Sequence, residues 1–242
     1  MDLSRSIEVF NPSMIDKDIH IIGVGATGSF VVQTLVRFGV NKIHIWDFDK
    51  YEAHNVNNQA IRQDCCEKQK VTAQVELCKE INPEVEIIAH DQLVTEKDIA
   101  EMSGYVFLLV DSMKCRKELF EAIKKNDKIV WYWESRLGSD QGRVYCLPID
   151  KDFDYSKYET MHFYSDDEAE VSACGTSITI VSIVLSVTAL MVNQFIKIVM
   201  NKLGEEPYIN HFTLFDNMYG VYTENFRKET KAVEEVTDEI IF

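Results

Sequence analysis

The chain is 242 residues long, 46% hydrophobic and 27% charged, with ten glycines and four prolines. These globular proportions exclude a low-complexity or collagen-like chain, and the length suits one domain with at most a small appendage. The formal net charge of −15 argues against a nucleic-acid footprint, which would be basic, and favours a solvated acidic surface or a basic partner.

Residues 1–17 read as a short arm. Residues 1–16 lack a basic region followed by an apolar run, so a cytoplasmic protein is expected. Six cysteines, at 65, 66, 78, 115, 146 and 174, then imply free thiols in a reducing compartment. There is no CxxC pair, and the adjacent Cys65 and Cys66 are poorly placed to share a tetrahedral metal, so no structural zinc is expected.

The apolar strand Ile19-His20-Ile21-Ile22 leads into Gly23-Val24-Gly25-Ala26-Thr27-Gly28 and a helix over Thr27–Phe38, stopped by Gly39. A second strand, Ile43-His44-Ile45-Trp46, ends in Asp47, 19 residues beyond Gly28. This spacing is that of a nucleotide-binding βαβ unit. Its glycines allow a tight turn, close approach of backbone to ligand, and packing of helix on strand. The helix start offers N–H groups to phosphate, and Asp47 stands where a ribose hydroxyl donates.

A helix is expected from about Glu67 to Ile81, stopped by Asn82-Pro83. Strand Val85–Ala89, a short helix at Glu96–Met102, strand Tyr105–Val110, a helix at Lys114–Lys125 and strand Lys128–Trp133 follow. The alternation predicts an α/β fold: a doubly wound, Rossmann-like, mainly parallel sheet. Beyond residue 134, Arg143–Leu147 and the pair His211–Phe215 and Tyr219–Thr223 predict antiparallel strands added near the C-terminus. Residues 149–170 show no clear period and read as a long exposed loop, a lid or crossover. The apolar run Ile178–Val192 has the composition of a membrane span, but Thr179, Ser182, Ser186 and Thr188 interrupt it. A fully buried helix, within the chain or in a dimer core, with no membrane crossing, is the preferred reading. The expected division is an arm at 1–17, one domain at 18–223 with a crossover or lid at 149–173, and an acidic tail at 224–242.

Past Asp47 the sequence departs from dehydrogenases. The acid is doubled as Asp47-Phe48-Asp49; then come Asn55, Asn58 and Gln59, and finally Lys70. Asp111 and Arg116 form D-x-x-x-x-R, Ser4-Arg5-Ser6-Ile7 resembles an S-R-Q-I arm with Ser in place of Gln, and Cys174 precedes a long apolar helix. This combination resembles the ubiquitin-activating-enzyme superfamily, which includes the ThiF and MoeB adenylyltransferases.

The resemblance implies ATP- and Mg²⁺-dependent adenylation of a carboxylate, usually the C-terminus of a ubiquitin-like or sulfur-carrier protein or peptide, by a homodimer. It assigns Gly23, Gly25, Gly28, Asp47, Asn55, Asn58, Gln59 and Lys70 to the nucleotide and Asp111 to Mg²⁺. Lys70 and Arg5, the latter from the partner protomer, become the cations along the phosphates. Asn58 replaces a family arginine; Arg62 is either its substitute or a surface residue. Cys174 is either a thioester- or persulfide-forming cysteine or a structural one. Arg116 supports the motif without a catalytic role; Arg136 and Arg143 either contact a carrier tail's carboxylate or the ATP phosphates or balance nearby acids, the latter being preferred. Activation of a small-molecule or tRNA-linked carboxylate, and a nucleotide-binding interaction protein without turnover, stay open as alternatives. An NAD-dependent dehydrogenase is disfavoured because it would not need Asn55, Gln59, Lys70 and Asp111.

Overall fold

A computed structural model describes residues 1–161, 179–201 and 209–227. Its centre is β1 (Ile19–Ile22), which is buried along its whole length because a central parallel strand is covered on both faces. Around it lie β2 (Lys42–Trp46), β3 (Glu86–His90), β4 (Gly104–Leu108), β5 (Ile129–Leu137), β6 (Gln141–Pro148), β7 (Phe212–Asp216) and β8 (Gly220–Glu224). They form one sheet in the order β3-β2-β1-β4-β5-β6-β7-β8. The first five strands run parallel; β6, β7 and β8 continue the sheet antiparallel. The expected fold is therefore present, with its switch point between β1 and β4, where an open α/β sheet binds its ligand.

Helices α1 (Ala26–Arg37), α2 (Lys70–Ile81) and α6 (Val181–Met200) cover one face; α3 (Glu96–Glu101), α4 (Met113–Ile123) and α5 (Ser156–Met161) cover the other. Three expectations change. α2 begins at Lys70 rather than near Glu67, because Glu67 adopts φ +68 and its N–H donates to Tyr51, while Lys50 and Gln69 form a β-bridge. The part of 149–170 within the described residues is not a loose loop. Tyr158 on α5 is fully buried and packs edge-on against Phe120 and Tyr145. One aromatic anchor in a short helix leaves no period to read. Residues 162–173 of the expected lid lie outside the described residues.

The third change concerns α6, which is long and apolar enough to cross a membrane by length and composition. It packs one face, through Val187, Met191 and Phe195, onto the sheet and α1, and leaves Val181 and Leu185 exposed. It is thus half-buried in the single chain, not fully buried. The arm at 1–17 is anchored by Phe10, buried against Phe38 and Phe195.

Candidate nucleotide-binding and catalytic site

The glycine loop leaves the end of β1 and enters α1. Gly23 takes φ +91, and a Cβ there would meet the Leu109 carbonyl of the neighbouring strand end at 2.7 Å. A Cβ at Gly28 would lie 1.9 Å from the Gly23 carbonyl oxygen, so the helix presses directly on the turn. At Gly25 a Cβ would find nothing within 4 Å. Gly25 caps α1 without a side-chain bond, so the first N–H groups of the helix have no side-chain cap, the arrangement that receives phosphate. The cradle fits a nucleotide.

Asp47 fastens this loop. Its Oδ2 accepts from the Val24 N–H at 2.9 Å and its Oδ1 from the Asp49 N–H at 2.9 Å. Each oxygen keeps a lone pair for a ribose hydroxyl. Burial raises the Asp47 pKa, and Lys70 and the two N–H donors oppose that rise. Lys70, at the start of α2, places Nζ 2.9 Å from Asp49 and 3.9 Å from Asp47, with its side chain 12% exposed. A cation is thereby preplaced beside the glycine loop. Tyr51 closes the floor: its hydroxyl donates to the Val24 carbonyl at 2.8 Å and accepts from Gln74 at 2.8 Å.

The amide segment runs across α1. The Ala60 N–H donates to Ser29 Oγ at 2.9 Å, and Gln33 donates to the Ala60 carbonyl at 2.6 Å. Asn55 uses its carboxamide oxygen to accept the Glu52 N–H at 2.9 Å, which leaves its NH₂ as a donor. Asn58 is half-buried beside it. The Gln59 carboxamide oxygen is buried with no partner among the described residues. Arg62 does not share a helical face with Asn58: it has extended backbone and turns outward to Asp64 and Glu80.

Across the switch point, Asp111 follows β4 and is exposed; its carboxylate has no partner among the described residues. An unengaged carboxylate at a strand end, beside a phosphate cradle, fits a Mg²⁺ ligand. Arg5 sits elsewhere. The arm's Leu3 and Phe10 pack at Gly39 and Phe38, the C-terminal end of α1, about 18 Å along a 12-residue helix from the glycine loop. Within one chain, Arg5 is remote from the cradle. Cys174 lies outside the described residues. Cys146 is buried in the core, and burial holds its thiol well above the usual pKa.

One group escaped sequence reasoning. Glu134 on β5 is fully buried and accepts from Arg116 at 2.9 Å, from Tyr132 at 2.7 Å, and from Arg136 and Tyr158. Burial alone would raise its pKa; Arg116 and Arg136 outweigh burial and hold it at about 2. A lone glutamate inside an apolar strand was the available signal, since such a residue demands buried cations.

Residues 13–236 match the ThiF family, and the chain belongs to it. Ubiquitin-like modifier-activating enzyme 5 of Drosophila simulans is 38% identical over 80 residues, 33% of this chain and 20% of that protein. The match thus spans about a fifth of that relative. Among solved structures, E. coli MccB superposes with a TM-score of 0.74 at 14% identity, over 89% of this chain and 64% of that one. E. coli tRNA N6-threonylcarbamoyladenosine dehydratase, TcdA, superposes with a TM-score of 0.64 at 18% identity, over 84% of this chain and 96% of that one. At these identities the two structures share the fold.

Proposed function

We propose that this chain is an ATP-dependent adenylyltransferase that activates the C-terminal carboxylate of a ubiquitin-like or sulfur-carrier protein or peptide and releases pyrophosphate. The observation that carries this reading is the convergence of the Gly25 cradle, the Asp47–Lys70–Asp49 cluster and Asp111 on one switch point. MccB solved with ATP and TcdA solved with AMP have the same fold. The net charge of −15 favours a protein or peptide acceptor over a nucleic acid.

The N–H groups at the start of α1 bind phosphate oxygens, and Asp47 orients the ribose. The acceptor carboxylate attacks the α-phosphorus; the new O–P bond forms as the bond to pyrophosphate breaks. Lys70, preplaced by Asp49, stabilises the charge on the leaving phosphates. Arg5 adds a second cation from the partner protomer of a homodimer. Asp111 would hold Mg²⁺, which would supply neutralisation of the phosphate charge. The enzyme is cytoplasmic and does not enter a membrane. Cys174 is a candidate for a later thioester or persulfide step.

One observation favours a second reading, nucleotide binding with little turnover. Asn58 stands where the resemblance expects arginine, and Arg62 is engaged by Asp64 and Glu80 instead of replacing it. ATP–pyrophosphate exchange with Mg²⁺ and diglycine-ended acceptors separates the two. Acceptor-dependent exchange supports adenylation; ATP binding with no exchange supports the second reading.

A further inference from the structure

Beneath Asp111 lies the buried cluster centred on Glu134. Arg116, on α4, gives one Nη1 hydrogen bond to Glu134 and another, at 2.6 Å, to the Ser135 carbonyl. Its Nη2 donates to the carbonyl of Val110, the residue immediately before Asp111. Ser135 in turn donates its hydroxyl to Thr27 Oγ1 at 3.1 Å, in the first turn of α1. The residues around Glu134 therefore touch both halves of the site, the glycine loop and the Asp111 loop.

Glu134 also reaches α5. Its Oε2 accepts from Tyr158 and Tyr132, whose hydroxyls are 3.0 Å apart. α5 begins the segment that joins β6 to α6. The Arg136 guanidinium lies over the Tyr145 ring at 4.7 Å, which adds β6 to the assembly. One carboxylate thus joins the β4–α4 loop, β5, β6 and α5. Such a cluster is poorly explained by stability alone. Buried ionic groups lose solvation, and apolar replacements of the same shape are often neutral or stabilising. What the cluster does supply is fixed geometry under the loop that carries Asp111.

We propose that Glu134 is a positioning residue: by holding Arg116 it fixes the Val110 carbonyl, and so sets Asp111 against the phosphates of a bound nucleotide, with Tyr158 tying this arrangement to α5. The proposal rests on the nucleotide reading of the site. Glu134 touches no substrate; it acts through Arg116.

The test is a double-mutant cycle of Glu134→Gln and Asp111→Ala, with Tyr158→Phe alongside, read on ATP affinity with and without Mg²⁺. A merely structural glutamate would change the melting temperature but not the Mg²⁺ dependence of binding. The expected result is that Glu134→Gln, in its folded fraction, loses about tenfold in MgATP affinity while Mg²⁺-independent ATP binding is retained. The loss is largely absorbed when Asp111 is already alanine, because both changes remove one effect. Tyr158→Phe shifts MgATP affinity in the same direction by about threefold. Parental Mg²⁺ dependence in Glu134→Gln, or a loss that adds fully to that of Asp111→Ala, overturns the proposal. Should Glu134→Gln not fold, Tyr158→Phe decides, since it keeps every charge: parental affinity overturns the proposal and the threefold loss supports it. Because the cycle is read on binding, it judges Glu134 even where pyrophosphate exchange, and with it the adenylation reading, fails.

Discussion

A methyl group has no room at Gly28 and open space at Gly25, although both glycines belong to one loop. Their alanine variants should therefore fail differently. Gly28→Ala drives a Cβ into the Gly23 carbonyl and lowers the melting temperature, with a cost of about 1–3 kcal/mol or more from the forced backbone shift. Gly25→Ala should melt near the parent and instead lose about tenfold or more in ATP affinity, because its new methyl occupies the phosphate approach. Thermal melts paired with nucleotide titrations check both; equal melting losses would contradict the cradle. At this scale the positions of the glycine loop and of the acids and lysine that follow the strands were legible, whereas the arm motif that carries Arg5 lies at the far end of α1 within one chain. Gly23, Gly25, Gly28, Asp47, Lys70 and Asp111 come together at the strand ends. Arg62 was less legible, because the backbone is extended there instead of helical, which turns it to the nearby Asp64 and to Glu80, distant in sequence. Glu134 was missed because its partners Arg116 and Tyr158 come from two other segments.

Elements follow period and punctuation where these are local. α1, α4 and the central strands lie within a few residues of expectation, because glycine stops and apolar runs mark them. β5 extends four residues past the expected Trp133, to Leu137, since its second half is held by antiparallel pairing with β6, a long-range contact with little local trace. α6 is set by a similar distant fit. A Cβ at Gly142 on β6 would lie 2.2 Å from Val187 Cγ2 on α6. Gly142→Ala should push α6 off the sheet and destabilise the fold by about 1–3 kcal/mol. Denaturant melts read this directly, and an unchanged midpoint would contradict the close approach of helix and sheet.

For the whole molecule, pH couples to a row of histidines crossing the sheet. His20, His44 and His90 lie on adjacent strands, with His20 and His44 ring centres 4.6 Å apart. Burial, and then the neighbouring His44, lowers the His20 pKa to about 4; burial also lowers those of His44 and His90. Asp18 opposes the shift at His20 and His44, and Asp98 does so at His90. A histidine whose folded pKa is depressed favours the fold above its unfolded pKa, near 6.5, and loses that contribution as pH falls towards 4. His20 alone contributes on the order of 3 kcal/mol by this linkage. Acid also relieves the repulsion of the net charge of −15, so the useful quantity is a difference between variants. Stability of the parent should fall more steeply from about pH 6.5 to 4 than that of His20→Leu; parallel pH profiles would contradict a neutral, buried His20.

The central claim is that this site adenylates a carboxylate. The most direct measurement is ATP–pyrophosphate exchange with Mg²⁺ across diglycine-ended proteins and peptides, beside an Asp111→Ala control. The account predicts exchange that requires an acceptor and disappears in the control. Measurable ATP binding with no exchange for any acceptor, or exchange unchanged in Asp111→Ala, would contradict it.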